Sequence, residues 1–509
     1  MTSLERFASL RRKQPMEKLL TLIYEQSLES WSDRAEEAFA ELFGGAKGRY
    51  PERARTAVQI RAPKFSDENN VPFSTLIEPS NPKSGPYGGM SVGVFPVEGA
   101  PCLIALGTGT TGLHPDESIL ARPGHARKGR AICEAINRRE KRFAAWAKHD
   151  PTRNDLQVPE NVVSHFEVYA APFKRYGKDV HAIYRPSDDR EATKFALKAF
   201  LDLYFEERRI APLALHKTDY EEIRSEYFRC LMPDVAEAVV AQLLSDRRFV
   251  ILEGPPGTGK TRMALELLAS KYAGCGVSTQ FHPNTTYENF VGGLAPTAAK
   301  GDVGFRFEPA KGALMKAAAE AEKVKPQPYL LHIDEINRAD LSKVLGEAIF
   351  LLEYNDEKPR AITLPYDFGP PWQNRLVIPS NLHILGTMNS ADRSIAIVDV
   401  AIRRRFAFVK LWPQFDVVQR CGSKLAEEAC RRLLSVFTEY ASDDAFALMP
   451  GHSYFLAKDG SDATALRSLK VNLLPLLEEY LAQGYVTNFA DHLRGYCQWV
   501  ESLSASLIR

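Results

Sequence analysis

The sequence has no apolar run near the roughly 18 to 20 residues that a membrane-spanning helix needs. Its first residues, Met1-Thr2-Ser3-Leu4-Glu5-Arg6, carry no apolar stretch of the secretory-leader kind, so the expected location is the cytoplasm. The seven cysteines (Cys102, Cys133, Cys230, Cys275, Cys421, Cys430 and Cys497) are scattered and form neither a CxxC pair nor a Cys/His cluster. That pattern argues against a disulfide frame or a zinc site and reads as reduced thiols. Neither sign of charge is in excess, with 65 Lys and Arg against 64 Asp and Glu, so net charge names no partner. No internal repeat or low-complexity tract is visible. What these absences leave is an ordinary globular chain of 509 residues, long enough for roughly two to four domains.

The stretch Phe249-Val250-Ile251-Leu252-Glu253-Gly254-Pro255-Pro256-Gly257-Thr258-Gly259-Lys260-Thr261 reads as a buried strand, a phosphate-binding loop and the start of a helix. Gly254, Gly257 and Gly259 let the backbone wrap a phosphate, so that successive N–H groups face the anion. Pro255, Pro256 and Thr258 complete the loop. Lys260 supplies a positive charge for the β- and γ-phosphates, and the Thr261 hydroxyl is placed to ligate Mg²⁺. Tyr329-Leu330-Leu331-His332-Ile333-Asp334-Glu335 is a second apolar strand, ending in two carboxylates. Asp334 suits the magnesium site, and Glu335 suits activation of the attacking water. Ile384-Leu385-Gly386-Thr387-Met388-Asn389 repeats the pattern with a neutral amide at its end. Asn389 either hydrogen-bonds the water or γ-phosphate, or caps the next helix. Arg403-Arg404-Arg405-Phe406 closes a helix-like segment, Ile395 to Ile402. Its arginines either complement the helix dipole or reach a neighbouring subunit's γ-phosphate.

Upstream, Leu4, Phe7 and Leu10, then Met16, Leu19, Leu20, Ile23 and Tyr24, recur at helical spacing. From Tyr50 to about Thr111, Pro and Gly become frequent and short β-rich runs appear, which predicts a small curved sheet. A basic stretch follows: Arg122, Arg127, Lys128, Arg130, Arg138, Arg139, Lys141, Arg142 and Lys148, with Phe143 and Trp146 interleaved. Two readings stand here. One is a phosphate-contacting face for nucleic acid, with Arg127, Lys128, Arg130, Arg138, Arg139 and Arg142 as candidates; the other is a solvated amphipathic helix. Val162 to Ala170 and Val180 to Tyr184 read as strands, and Asp189 to Glu207 as a helix. Ile210-Ala211-Pro212 reads as the joint to the downstream part. Trp31, Tyr87, Trp146 and Tyr169 are aromatic candidates for a base pocket, or core residues.

Three phrases coincide downstream: Gly254 to Thr261; Asp334-Glu335-Ile336-Asn337-Arg338-Ala339; and Met388-Asn389-Ser390-Ala391-Asp392-Arg393-Ser394 running on to the arginine triplet. Together with Gln280-Phe281-His282 and Gly451-His452-Ser453-Tyr454-Phe455, they resemble the McrB family, AAA+ motor subunits of modification-dependent restriction systems. The resemblance spans roughly residues 215 to 509. It departs from the family's usual Asn-Thr-Ala-Asp at Ser390, which keeps the hydroxyl. The resemblance implies Walker A at Gly254 to Thr261, Walker B at Asp334 and Glu335, sensor 1 at Asn389, a trans-acting finger at Arg404 and a sensing arginine at Arg405. It also implies a homo-hexameric ring, GTP preferred over ATP, Mg²⁺, a separate McrC-type nuclease, and double-stranded DNA, possibly modified. The residues themselves give no physical derivation of base choice.

The expected fold is an α+β recognition domain (1–211), an AAA+ α/β P-loop core (212–412) and a helical lid (413–509), with no nuclease constellation. Two rivals remain open at this point: a MoxR-like chaperone that remodels a protein, and a nucleotide-dependent defence switch.

Overall fold

The computed structural model describes residues 16–25, 31–45, 48–61, 71–83, 85–111, 116–298, 305–353, 359–391 and 399–503. Leu4, Phe7 and Leu10, the residues Asp392 to Ser394, and the first half of the segment Ile395 to Ile402 lie outside them. The chain divides into two units, residues 1–232 with 438–441, and residues 233–437 with 442–509. Among the described residues no helix is long and apolar enough to cross a membrane.

The first unit is built on a six-stranded antiparallel sheet: β1 Gln59–Arg61, β2 Ser74–Ile77, β3 Gly88–Val97, β4 Ala100–Thr110, β5 Ala145–Ala147 and β6 Val180–Tyr184. The spatial order is β1-β2-β3-β4-β6-β5. Alternation along β4 sends Cys102, Ile104 and Leu106 into a core with Ile132, Ile136 and Phe200 from the helices Pro123–Glu140 and Arg190–Glu206. Leu103 and Ala105 face the other way, against Phe166, Phe173 and Ile183.

Val162 to Ala170 is a correction: it forms a short helix, Glu160–Val163, and a turn, Glu167–Tyr169, and no strand. Pro159 sits at the helix N-cap, and the buried residues Val162, Phe166 and Tyr169 recur at helical spacing, four and then three apart. The helix Lys217–Leu231 also packs with this unit, so the division falls later than the joint expected at Ile210–Pro212. One reason is electrostatic: the fully buried Arg49 guanidinium is held by Asp202 at 2.5 Å and by Asp219 of that helix at 2.6 Å. A buried arginine stripped of one carboxylate is strongly destabilising, so the helix is tied to this core.

The second unit carries β7 Phe249–Gly254, β8 Gly276–Gln280, the hairpin of β9 Gly292–Ala298 and β10 Phe305–Lys311, β11 Tyr329–Asp334, the pair β12 Ala361–Thr363 and β13 Arg375–Val377, β14 Leu382–Asn389 and β15 Ala407–Lys410. Five of these form a parallel sheet in the order β15-β7-β14-β11-β8. Both faces of its central strands β7, β14 and β11 are covered, which is why these read as continuous apolar runs, whereas the edge strand β8 is polar and part-exposed. Phe249 and Ile251 enter one core with Leu314 and Ala318 of the helix Ala313–Val324; Val250 and Leu252 enter another with Ala264 and Leu267 of the helix Lys260–Ser270. Strand order fixes the site. β14 lies between β7 and β11, so the ends of three strands meet at one edge, where ligands bind in open α/β sheets. The helices Lys424–Tyr440, Asp462–Ser468, Leu474–Ala482 and Ala490–Ser502 follow.

Candidate functional site

The loop after β7 is shaped for an anion by two glycines. Gly257 and Gly259 have φ of +82° and +85°, the left-handed region that L side chains rarely adopt. A Cβ at Gly257 would also meet Ser453 Oγ at 2.5 Å and the Tyr454 ring at 2.9 Å. Thr258 locks the turn by donating from Oγ1 to the Pro255 carbonyl at 3.0 Å. Lys260 is buried, and its Nζ donates to the carbonyls of Gly254 and Pro255, both at 2.9 Å. Burial pushes this ammonium down to about 8, with the Glu335 and Asp334 carboxylates opposing the shift.

That shift has a testable sign. A bound phosphate favours charged Lys260, so the lysine titrates higher in the complex than in the free protein. Nucleotide affinity is therefore expected to be flat below pH 8 and to fall by up to about tenfold per pH unit above it. Titration calorimetry with a non-hydrolysable analogue checks this, and an unchanged dissociation constant between pH 8 and 9 contradicts it.

Asp334 and Glu335 leave β11 side by side and separate at once. Asp334 Oδ1 accepts from Thr261 Oγ1 at 2.9 Å and from the Thr387 hydroxyl of β14. A hydroxyl beside a carboxylate is an oxygen donor set that suits Mg²⁺, which is commonly held by one or two carboxylates plus phosphate oxygens and water. The residues therefore fit the ion, and among the described residues there is no larger metal-binding cluster. Glu335 has φ +52°, a costly conformation for a side-chain-bearing residue, and it turns the chain into the short helix Ile336–Arg338. Its N–H donates to Thr387 Oγ1 at 3.3 Å, and its Oε1 accepts from Asn389 Nδ2 at 2.8 Å. Asn389 thus holds the carboxylate.

The arginine triplet divides by exposure. Arg404 is exposed at the end of the helix Val400–Arg403, and among the described residues its guanidinium has no ion pair or hydrogen-bond partner. Arg405 is buried and donates back to the Ala401 carbonyl at 2.8 Å, away from the carboxylates. Arg403 lies over the Phe408 ring.

Several contributors escaped the sequence reading. Thr387 joins the two carboxylate positions; its signal was a hydroxyl inside an otherwise apolar strand. His332 is fully buried behind Asp334, with Nδ1 on Ser278 Oγ at 2.8 Å, and burial lowers its pKa. Asn337 Nδ2 donates to the Asn389 carbonyl at 3.2 Å, tying the two strand ends together.

Two residues of the basic stretch, Arg127 and Lys128, are a correction to the solvent-facing reading: both are buried. Lys128 pairs with Glu207 at 2.7 Å, and Arg127 donates to the carbonyls of Thr438 and Ala441, which cluster with this unit. Arg138 pairs with Glu134 at 2.9 Å, Arg139 with Glu226 at 3.1 Å and Arg142 with Glu140 at 3.1 Å. Arg130 donates to the His149 carbonyl at 3.0 Å. Arg127 and Lys128 are taken up inside the fold, Lys128 by the distant Glu207, whereas Arg138 and Arg139 stay at the surface beside Glu134 and Glu226.

A different feature of this unit stands out: a cavity of about 420 Å³ walled by Phe73, Tyr87, Phe95 and Tyr176, with Arg61, Arg175 and Asp179 among its polar lining. Phe73 and Phe95 stack at 5.3 Å, and the Arg61 guanidinium lies 5.4 Å from the Tyr87 ring centre. Burial raises the Asp179 carboxyl. Trp31 and Tyr169 are buried core, whereas Tyr87 lines the cavity.

The family model of the AAA domain (dynein-related subfamily) matches residues 249–406, from the first core strand to the arginine triplet. The type IV methyl-directed restriction enzyme EcoKMcrB subunit of Escherichia coli (strain K12) is 30% identical over 352 residues, 64% of this chain and 75% of that protein. The chain belongs to the McrB family. A second relative, the type II restriction enzyme BsuMI component YdiS of Bacillus subtilis (strain 168), is 31% identical over 200 residues, 33% of this chain and 57% of its own length. This McrB-family chain is therefore an AAA+ P-loop NTPase, with a parallel sheet flanked by helices and a mixed α/β first unit.

Proposed function

We propose that this chain is the GTP-preferring motor of a modification-dependent restriction system, working as a homo-hexamer with a separate McrC-type nuclease on double-stranded DNA. The observation that carries the nucleotide part is the meeting of Thr261, Asp334, Glu335 and Asn389 at the edge of one sheet. The restriction role is supported by the two relatives, one a subunit and the other a component of a restriction enzyme. Thr261 and Asp334 would hold Mg²⁺, which when bound offsets phosphate charge. Lys260 leaves its loop carbonyls to meet the β- and γ-phosphates. Glu335 takes a proton from the attacking water, with its carboxylate aimed by Asn389. Arg404 serves a neighbouring subunit's γ-phosphate, a reading supported by its exposure and lack of a partner within the described chain.

The first unit reads DNA in this proposal, through the aromatic cavity in place of the basic helix. Stacking walls and a few polar groups suit a base extruded from the duplex. The experiment is filter binding of duplex DNA, modified and unmodified, alongside basal nucleotide hydrolysis. The wild type is expected to retain DNA with a steep salt dependence. Tyr176→Ala is expected to cost about 1–3 kcal/mol of DNA binding, the worth of one stacked base, with basal hydrolysis unchanged. Retention by the variant equal to wild type contradicts the assignment of the cavity, and no retention by the wild type contradicts DNA reading.

A further inference from the structure

The helical region carries a segment, Gly451-His452-Ser453-Tyr454-Phe455, that closes on the phosphate loop of the same unit. Gly451 N–H donates to the Pro256 carbonyl at 2.8 Å, and Ser453 N–H to the Gly257 carbonyl at 3.1 Å. The approach is so close that a Cβ on Gly451 would lie 2.0 Å from the Gly257 carbonyl carbon. Two backbone bonds and two facing glycines therefore fix where His452 stands. Its Nε2 lies 3.9 Å from the position a Cβ on Gly259 would take, beside the loop turn that leads into the helix Lys260–Ser270.

We propose that His452 is a nucleotide-contacting residue supplied by the helical region, its Nε2–H donating to an oxygen of the bound nucleotide on the Gly259 side of the loop. This rests on the reading of that loop as a nucleotide site. The tautomer follows from a second contact: Nδ1 accepts the Gln414 N–H at 3.3 Å, so Nε2 carries the ring proton. Burial lowers the ring's pKa, with Arg262 adding to the shift and Asp234 opposing it, so the ring is a neutral donor near pH 7. Gln414 follows β15, and Leu411 N–H bonds the Glu253 carbonyl at 2.8 Å just ahead of the loop. The imidazole thus bridges the strand edge and the nucleotide. Further out, Ser468 Oγ donates to the Tyr454 carbonyl at 3.2 Å, so the segment moves with the helix Asp462–Ser468. A contact made by His452 would couple nucleotide occupancy to the position of that helix.

Two amides separate the ring's two jobs. His452→Gln keeps a donor near the Nε2 position and gives up the Nδ1 acceptor; His452→Asn keeps an acceptor near Nδ1 and gives up the distal donor. Guanosine diphosphate and triphosphate-analogue binding are measured by calorimetry on full-length wild type, His452→Ala, His452→Gln and His452→Asn, with thermal melts as the check on folding. Expected are a loss of about tenfold in affinity for Ala and Asn, and affinity within about threefold of wild type for Gln, with melts alike. Rescue by Asn and not by Gln overturns the proposal, because the ring then serves only the Gln414 amide. Wild-type affinity in the alanine variant overturns it as well. Absence of binding by the wild type to guanosine and adenosine nucleotides alike would instead overturn the nucleotide-loop reading, and the proposal with it; where only adenosine nucleotides bind, the same four proteins are compared with those.

Discussion

Arg404→Ala is expected to leave nucleotide affinity close to wild type and to cut steady-state turnover by about 10³-fold, the scale of a trans-acting arginine in phosphoryl transfer. The physical ground is the contrast within the triplet. Arg405 spends its guanidinium on the Ala401 carbonyl and Arg403 lies over Phe408, whereas Arg404 is exposed and unengaged among the described residues. A charge left at a helix end with nothing to neutralise costs little there and gains much beside a γ-phosphate. Mixing supplies the control. Arg404→Ala subunits combined with Lys260→Ala subunits, which hydrolyse nothing alone, should regain activity, since an intact nucleotide site would then face an intact Arg404. Unchanged turnover in Arg404→Ala alone would make the triplet structural.

The second large effect is at Glu335. Glu335→Gln preserves shape and the Asn389 hydrogen bond, because the amide oxygen still accepts from Nδ2, but it removes the group that takes the proton. Turnover is expected to fall by about 10²–10⁴-fold, the range for losing a general base, with nucleotide binding retained. A phage-restriction assay on the same variant separates a motor from a switch. Loss of protection with loss of turnover supports the motor; full protection without turnover would mean that nucleotide binding alone controls the effector.

The nucleotide site was legible because each of its strands is buried on both faces and ends in a chemistry-bearing residue. Phe249 to Leu252, Tyr329 to Ile333 and Ile384 to Met388 are apolar runs, and a run that stops at Gly-rich loop, Asp-Glu or Asn declares where the chemistry sits. Their spatial order was not legible. Only the placement of β14 between β7 and β11 brings Asn389 to Glu335 and Thr387 to Asp334. The first unit was harder for the same reason. Its sheet was visible in outline, yet the fate of the basic stretch depends on Glu207 and Glu226, acids far along the chain, and no local reading of Arg127 to Arg142 contains them. The cavity likewise draws Phe73, Tyr87, Phe95 and Tyr176 from separated segments, so that Tyr87 was one aromatic among many until the fold placed it. Val162 to Ala170 misled through composition: β-branched and aromatic residues favour strands, but their spacing was helical.

The most direct test of the account is steady-state hydrolysis of GTP and ATP measured side by side, with and without a McrC-type nuclease subunit. The account predicts Mg²⁺-dependent turnover that is faster with GTP and is raised by the partner. Preference for ATP with no response to the partner would contradict it, and would turn attention to a protein ligand for the first unit.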